Sequence, residues 1–469
     1  MNLHLDRNLN TPLVRQIEEA IIGKIISGKL KPNSRLSSIR QLSLVNKISR
    51  FTVVQAYDRL VAEGYLSSIT GSGFYVKERK NKAANTINSN QGINISGAMD
   101  ELWLIKTLLS NPINNHSPGS GWLPNSWLDE HGIQKALRVF SRKPMSQLGT
   151  YGHPLGFPPL REVLQSRLDN IEIQAHTQQI LLTCGATHAL NLVIQAYVRP
   201  GDKVLVDNPG YFILFGALKA AGAEIIGITR LADGPDLVQL ESLLQKHQPK
   251  CYFIQSTLHN PTATSITTPK AYRLLQLAEK HQIKIIEDDI NGDFLAEKLI
   301  RLSSLDQLKQ TIFISSFSKS LSSSIRVGYI AANEETIQRL TDIKLLSGMT
   351  TPELNERLIH SMLIEGSYRK YLSTLQNKLR RVTIEAINHF ESIQLTPFAA
   401  PEGGMFIWIR FPEQINLISM ATHFKKQNIT LAPGQIFTPH QEKSHYMRFN
   451  VASFNSKLLN EIAEYLLIH

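Results

Sequence analysis

Seven short runs rich in β-branched and aromatic residues recur beyond residue 100: QILLT, KVLVD, EIIGIT, CYFIQ, IKIIED, TIFISS and RVGYIA, with helical stretches between most of them. Runs that are almost wholly apolar, rather than alternating, belong to strands buried on both faces. Strands that alternate with helices belong to a mostly parallel sheet covered by helices. Residues 100–469 are therefore expected to form one large α/β body. In an open sheet of this kind ligands gather beyond the carboxyl ends of the strands. The residues that follow each run are the candidates for chemistry.

Those residues are of unlike types. After QILLT comes Gly185-Ala186-Thr187 at a predicted helix start, where free N–H groups and a hydroxyl suit an anion. After KVLVD comes Tyr211, able to stack on a flat ring. After CYFIQ comes Asn260-Pro261, a turn that carries an amide, and IKIIED ends on Asp288. After TIFISS come Lys319 and, seven residues on, Arg326. Each has a bland counterpart: a structural glycine turn, a core tyrosine, a solvated lysine. Together, an anion site, a stacking ring, an amide, a carboxylate and a lysine beyond the strands of one sheet suit pyridoxal 5′-phosphate (PLP). Its aldehyde condenses with a lysine able to lose its proton, and its ring works as an electron sink when a carboxylate keeps the pyridine nitrogen protonated. Ser316 and Arg326 suit its phosphate.

The N-terminal segment differs. Residues 1–80 hold 13 Lys/Arg against 6 Asp/Glu, so +7 of the net +11 sits there, which points to a polyanionic partner. PLVRQIEEAIIGKIIS places Leu13, Ile17, Ala20, Ile21 and Ile25 on one helical face, with Gly28 as the stop. A second helix is expected over residues 37–46, with Ser37 as a cap. A third follows Ser49, with Val53, Ala56, Tyr57, Leu60 and Val61 inward. YLSSI and FYVKE flank Gly71-Ser72-Gly73 as a hairpin. Three helices and a hairpin make a winged helix-turn-helix, whose third helix enters the major groove N-terminus first. Ser49, Arg50, Phe51 and Thr52 then face DNA, and Arg40, Gly71 and Gly73 approach the backbone. Residues 79–99 are polar and aperiodic and read as a linker.

Two resemblances sharpen these expectations. LSSIRQLSLVNKISRFTVVQAYDRLVAEGYLSSITGSGFYV resembles the DNA-binding domain of the GntR family through Leu36, Ser38, Arg40, Ser49, Arg50, Thr52, Val53, Tyr57, Leu60, Glu63, Gly64, Tyr65, Gly71 and Gly73. Ser37 replaces the family's proline, and Phe51 its usual polar residue. Residues 100–469 resemble a fold-type-I, aspartate-aminotransferase-like PLP protein, and the fusion resembles MocR-type bacterial transcription regulators. The resemblance implies Lys319 as the Schiff-base lysine and Asp288 as partner of the pyridine nitrogen. Asn260 becomes donor to the ring 3-oxygen and Tyr211 the stacking ring. Gly185, Ala186, Thr187, Ser316 and Arg326 become the phosphate site, joined by Tyr151 of TYGHPLG reaching from the partner subunit. Arg448 of YMRFNVA becomes the binder of an α-carboxylate. Relatives carry a tyrosine after the aspartate where this chain has Ile290 and Asn291, so Asn291 is expected at the ring 3-oxygen with different reach and acidity. At most weak or partial transamination is expected.

The domains are then a winged helix-turn-helix at 1–78, a linker at 79–99 and an aminotransferase-like domain with a small C-terminal part at 100–469. The partners implied are an operator DNA duplex, PLP with or without an amino compound, and a second copy, in a homodimer of head-to-tail type with exchanged DNA-binding modules. No metal is expected, because the two cysteines build no zinc spacing. The start lacks a signal-peptide core and no apolar run reaches membrane-spanning length, so a cytoplasmic protein is expected. Three readings stay open: a PLP-responsive regulator, an active aminotransferase with an accessory module, and a regulator whose body has lost PLP and only dimerises.

Overall fold

The structure, a computed structural model, describes all residues except 8, 10, 79–101, 111–116, 142–148, 296 and 469. The expected linker lies wholly outside the described residues. The chain divides into two compact units, Met1–Gln91 and Gly92–His469.

The small unit is a three-helix module with a wing. Helix α1 spans Leu13–Ile26, α2 Ile39–Asn46 and α3 Arg50–Ala62. Strand β1 (Leu66–Ile69) pairs antiparallel with β2 (Gly73–Val76). Ile17, Ile21, Leu42, Val53, Ala56, Tyr57 and Leu60 form its fully buried core, so the helical periodicity is that of the sequence pattern. The α2 cap is Ser38 rather than Ser37: its side chain accepts the Gln41 N–H. The Ser37 carbonyl instead accepts the buried Tyr57 hydroxyl at 2.8 Å, which ties α3 to the start of α2. At the wing, Gly71 and Gly73 have φ of 76° and 110°, a region that side chains with a Cβ disfavour.

The large unit is built on an eight-stranded sheet. Its strands are β3 (Ile180–Thr183), β4 (Lys203–Asn208), β5 (Glu224–Leu231), β6 (Gly234–Pro235), β7 (Cys251–Ile254), β8 (Lys284–Asp288), β9 (Thr311–Ser316) and β10 (Gly328–Ala331), in the order β3-β10-β9-β8-β7-β4-β5-β6. The seven expected strands are present. The run RVGYIA departs in direction: β10 lies antiparallel to both β9 and β3. Only eleven residues separate β9 from β10, too few for the helical crossover that a parallel pair needs. Helices cover both faces. On β4, Val204 and Val206 pack under the helices Ala186–Tyr197 and Phe212–Ala220, while Leu205 packs under Leu237–His247 and Thr268–His281. That alternation is the two-residue period of a strand.

A second sheet of four antiparallel strands, β11 (Thr396–Pro397), β12 (Phe406–Arg410), β13 (Ala432–Pro433) and β14 (Tyr446–Asn450), forms the small C-terminal part, in the order β11-β12-β14-β13. The 26-residue helix Ser367–Ser392 packs on it through Leu379, Ala386 and Phe390.

A close backbone approach is found at Gly328, where a Cβ would lie 2.8 Å from the Gly185 backbone and 2.9 Å from the Ser315 carbonyl oxygen. Gly328→Ala should therefore destabilise the large unit by about 1–3 kcal/mol. Gly348→Ala, in a helix with open space around it, should leave the unit as stable or more so. Thermal unfolding of the two variants beside the parent protein measures both.

Candidate functional site

The carboxyl ends of β7, β8 and β9 and the loop before the helix Ala186–Tyr197 converge on one site, closed from the other side by β14 and by residues 119–121. Lys319 lies in the turn after β9. Its Nζ donates to the Gly121 carbonyl, and a Cβ on Gly121 would lie 3.4 Å from that nitrogen. Burial, then the charge of Arg448, hold its ammonium down to about 8, against the pull of Asp288. The amine is thus able to lose its proton near neutral pH, as a nucleophile must.

Asp288 ends β8 and is pushed up to about 6, chiefly by burial. Its Oδ2 accepts the Gln255 amide at 2.8 Å and its Oδ1 the Ile290 N–H at 3.3 Å; both donors favour the charged form. The Gln255 side-chain Oε1 in turn accepts the Asn260 N–H at 2.8 Å. Gln255 therefore fixes two expected site residues at once, and the sequence reading passed over it. The signal was available, since Gln255 is the first residue beyond β7. Its own backbone is held from beneath: Arg230 donates to its carbonyl at 3.0 Å, and its N–H points to Asp207 at 3.4 Å. Asp207, Arg230, Tyr252 and His259 form a buried network in which Tyr252 donates to Asp207 at 2.6 Å. Burial keeps His259 neutral.

Asn260 accepts a 2.8 Å hydrogen bond from Arg448 Nη1, while Arg448 Nη2 donates to the Gly119 carbonyl at 2.6 Å. Arg448 is 2% exposed on β14, its Nε has no partner, and no acidic side chain pairs with it among the described residues. The guanidinium lies 4.4 Å from the Phe406 ring centre and 4.8 Å from that of Phe437. Burial lowers it to about 9.

On the anion side, Gly185 (φ 78°) caps the helix Ala186–Tyr197, and Arg326 packs on it so closely that a Cβ there would lie 3.1 Å from the guanidinium carbon. Arg326 donates to the Cys184 carbonyl at 3.0 Å. The Ser316 hydroxyl donates to the Val327 carbonyl at 3.0 Å and accepts the Ser318 N–H at 3.1 Å, shaping the turn that carries Lys319. Tyr211 borders the same site, with its hydroxyl held by Thr187; burial, then the Asp288 charge, push it up to about 12.

Two expected residues lie otherwise. Asn291 is buried, but its amide donates to the Leu258 carbonyl at 3.0 Å and its Oδ1 has no partner. Tyr151 is 76% exposed and meets none of the other site residues in this chain. Its segment is held nonetheless: the buried Lys344 donates to the Pro154 carbonyl at 2.9 Å, and Glu356 accepts the Phe157 N–H at 2.8 Å. In the small unit, the Ser49 hydroxyl accepts the Thr52 N–H at 3.0 Å and is bonded to the Thr52 hydroxyl at 2.7 Å, while Arg40 and Arg50 are exposed.

The large-unit donor set fits PLP. Lys319, a buried carboxylate, a helix N-terminus with an arginine beside it and an aromatic ring share one site, and the orphaned Arg448 Nε and Asn291 Oδ1 point to an incoming polar group.

Two expectations follow. Labelling of Lys319 by an amine reagent should rise with pH to a midpoint near 8, because only the neutral amine reacts. Arg448→Met removes a repelling cation and should move that midpoint upward; residue-resolved mass spectrometry from pH 6 to 10 reads both. Gln255→Leu removes a donor that favours the Asp288 carboxylate. That carboxylate should then protonate at higher pH, and PLP should bind about tenfold more weakly than to the parent protein at pH 6, with a smaller difference at pH 8. Fluorescence titration at the two pH values measures this.

Known proteins resemble both units. The family described as "Aminotransferase class I and II" matches residues 125–466, and "Bacterial regulatory proteins, gntR family" matches residues 13–76. The HTH-type transcriptional regulator YisV of Bacillus subtilis, itself uncharacterised, is 25% identical over 459 residues, covering 95% of this chain and 94% of its own. The HTH-type transcriptional regulator NorG of Staphylococcus aureus is 24% identical over 430 residues, covering 88% and 95%. Among solved structures, the kynurenine aminotransferase of Pyrococcus horikoshii superposes with a TM-score of 0.71 at 22% identity, over 79% of this chain and 94% of that one. An archaeal alanine:glyoxylate aminotransferase superposes with a TM-score of 0.72, also at 22% identity, over 79% and 97%.

Proposed function

The chain belongs to the aminotransferase class I and II family and carries a gntR-family module ahead of that body, and from this premise we propose that it is a DNA-binding transcription regulator whose aminotransferase-like body senses PLP, alone or with an amino compound bearing a carboxylate. The observation that carries the ligand class is Arg448: a guanidinium 2% exposed, with an unpartnered Nε and no acidic partner among the described residues. An unpaired buried cation costs several kcal/mol, and a ligand carboxylate would relieve it.

When bound, PLP supplies an electrophilic carbon and an electron-withdrawing ring. The chain's own residues would hold it. Arg326, Thr187 and the N–H groups at Gly185 and Ala186 take the phosphate, and Tyr211 covers the ring. Asp288, kept charged by Gln255, faces the ring nitrogen. Lys319 offers a neutral amine, and Arg448 orients the carboxylate of an amino ligand by a two-pronged contact. The orientation of Asn291 toward Leu258 favours the regulator over an efficient enzyme, because it withdraws a donor from the place where relatives present a tyrosine hydroxyl. The complete set of Lys319, Asp288, Asn260 and Arg448 is compatible with partial transamination.

DNA binding rests on the small unit, with its exposed Arg40 and Arg50 at the helix-turn-helix and its glycine wing. The working form we propose is a homodimer, with Tyr151 reaching the partner's phosphate and the modules exchanged head to tail. Linkage makes the two activities testable together: a ligand that changes DNA affinity must have its own affinity changed by DNA.

The test pairs the parent protein with Lys319→Ala. The parent protein should develop a visible absorption band with PLP, fixed on Lys319 by borohydride as a mass adduct, and PLP should change its operator affinity by about fivefold or more. Lys319→Ala should lose the band, the adduct and the PLP effect while still binding DNA in a salt-dependent way. A band that survives Lys319→Ala would sink the lysine's role. Operator binding indifferent to PLP and to amino acids would leave the body as a scaffold for dimerisation.

A further inference from the structure

The DNA-facing end of α3 carries an apolar side chain that neither the core nor the cap uses. Val53, Ala56, Tyr57 and Leu60 point inward and are fully buried, so the opposite stripe, Phe51, Gln55 and Asp58, faces solvent. The cap engages the hydroxyls of Ser49 and Thr52 with each other. Arg50 and Phe51 are then the side chains that project from the first turn. Phe51 is 70% exposed and belongs to none of the apolar clusters.

A phenylalanine left in water gains nothing for the fold, since burial of apolar area is what stabilises. Its setting says what covers it. Arg35, Arg40, Lys47 and Arg50 of the same unit are all exposed, and α2 and α3 contribute three of these four cations or their flanking turn. A polyanion meets this charge. The major groove of DNA joins phosphate charge to one apolar spot, the 5-methyl group of thymine, which phenylalanine contacts. One turn further on, at i+4, Gln55 presents an amide of the kind that pairs with the adenine edge.

We propose that Phe51 determines operator specificity by contacting a thymine 5-methyl group in the major groove. The contact favours an A·T pair where a polar residue at this position would tolerate others. The inference rests on the DNA-binding reading above and deepens it.

The test uses the full chain. Binding sites are selected from random duplex DNA, and each conserved thymine is then replaced by deoxyuridine. That change removes one methyl group and leaves pairing and charge intact. Affinities are measured by fluorescence anisotropy for the parent protein, Phe51→Ala, Phe51→Leu and Arg50→Ala. We expect one thymine per half-site at which uracil weakens the parent protein by about fourfold, the worth of one buried methyl-sized group. Phe51→Ala should bind thymine and uracil sites equally. Phe51→Leu, still apolar, should keep part of the discrimination, and Arg50→Ala should lose affinity at both sites while keeping the ratio.

Uracil sensitivity that persists in Phe51→Ala, or its absence from the parent protein at every position, overturns the proposal and leaves DNA binding standing. So does a Phe51→Ala protein with unchanged DNA recognition and an altered oligomeric state, since Phe51 would then cover a protein contact. A parent protein that selects no sequence and shows no salt-dependent binding overturns the DNA-binding reading itself.

Discussion

The amide of Gln255 joins the two halves of the candidate site. Its nitrogen donates to Asp288 at the end of β8, and its oxygen accepts the Asn260 N–H in the loop after β7. Asn260 passes the connection on to Arg448 of the C-terminal sheet. A buried amide is suited to this because it donates at one end and accepts at the other, and each end here has a partner of the opposite kind. The network beneath it explains why the position is firm. Arg230 and Asp207, both buried, hold the Gln255 backbone, so its side chain is not free to choose another partner. Below about pH 6 Asp288 gains a proton and that chain of contacts loses its anionic end.

Three cations crowd the same place: Lys319, Arg326 and Arg448. Asp288 is the carboxylate that stabilises the Lys319 ammonium. Burial lowers both Lys319 and Arg448, and the charges of Arg448 and Arg326 lower Lys319 further. Such a site is poised for anions. Its two poles differ in kind: Arg326 lies beside a helix N-terminus, suited to a compact phosphate, while Arg448 is stacked against Phe406 and Phe437, suited to a planar carboxylate. A ligand with both groups spans them.

Much of this was legible in the sequence, and the limits have physical causes. Continuous apolar runs identify buried strands, and the rule that ligands gather beyond strand ends brought Lys319, Asp288, Asn260 and Arg326 together without coordinates. The antiparallel β10 was not legible from its composition, because a buried strand is equally apolar in either direction; the short connection from β9 decides it. Ser37 and Ser38 are chemically equal as caps, and only the Tyr57 hydroxyl on the Ser37 carbonyl distinguishes them. Gln255 looked like the polar end of a strand because its importance is relational: it depends on Asp288, 33 residues away, and on the turn that brings Asn260 back. Asn291 matched a position rather than an orientation, and a position in sequence does not say which carbonyl an amide will choose.

The contacts of Arg448 bear on how a bound ligand is converted into a signal. This side chain belongs to the C-terminal sheet, yet its donors are spent on Asn260 beside the large sheet and on the Gly119 carbonyl. A carboxylate that pairs with Arg448 competes for those same N–H groups and offers charge in return, so the ligand-bound and ligand-free arrangements of this region cannot keep identical contacts. A ligand shifts an equilibrium only by its differential affinity for two arrangements. Arg448 supplies such a difference, because the burial cost of its charge is left uncompensated by any acidic side chain among the described residues and is relieved by an anion. Retaining a buried, unpaired arginine weakens the ligand-free fold and sharpens its response to ligand, a balance better suited to a sensor than to a scaffold that only dimerises.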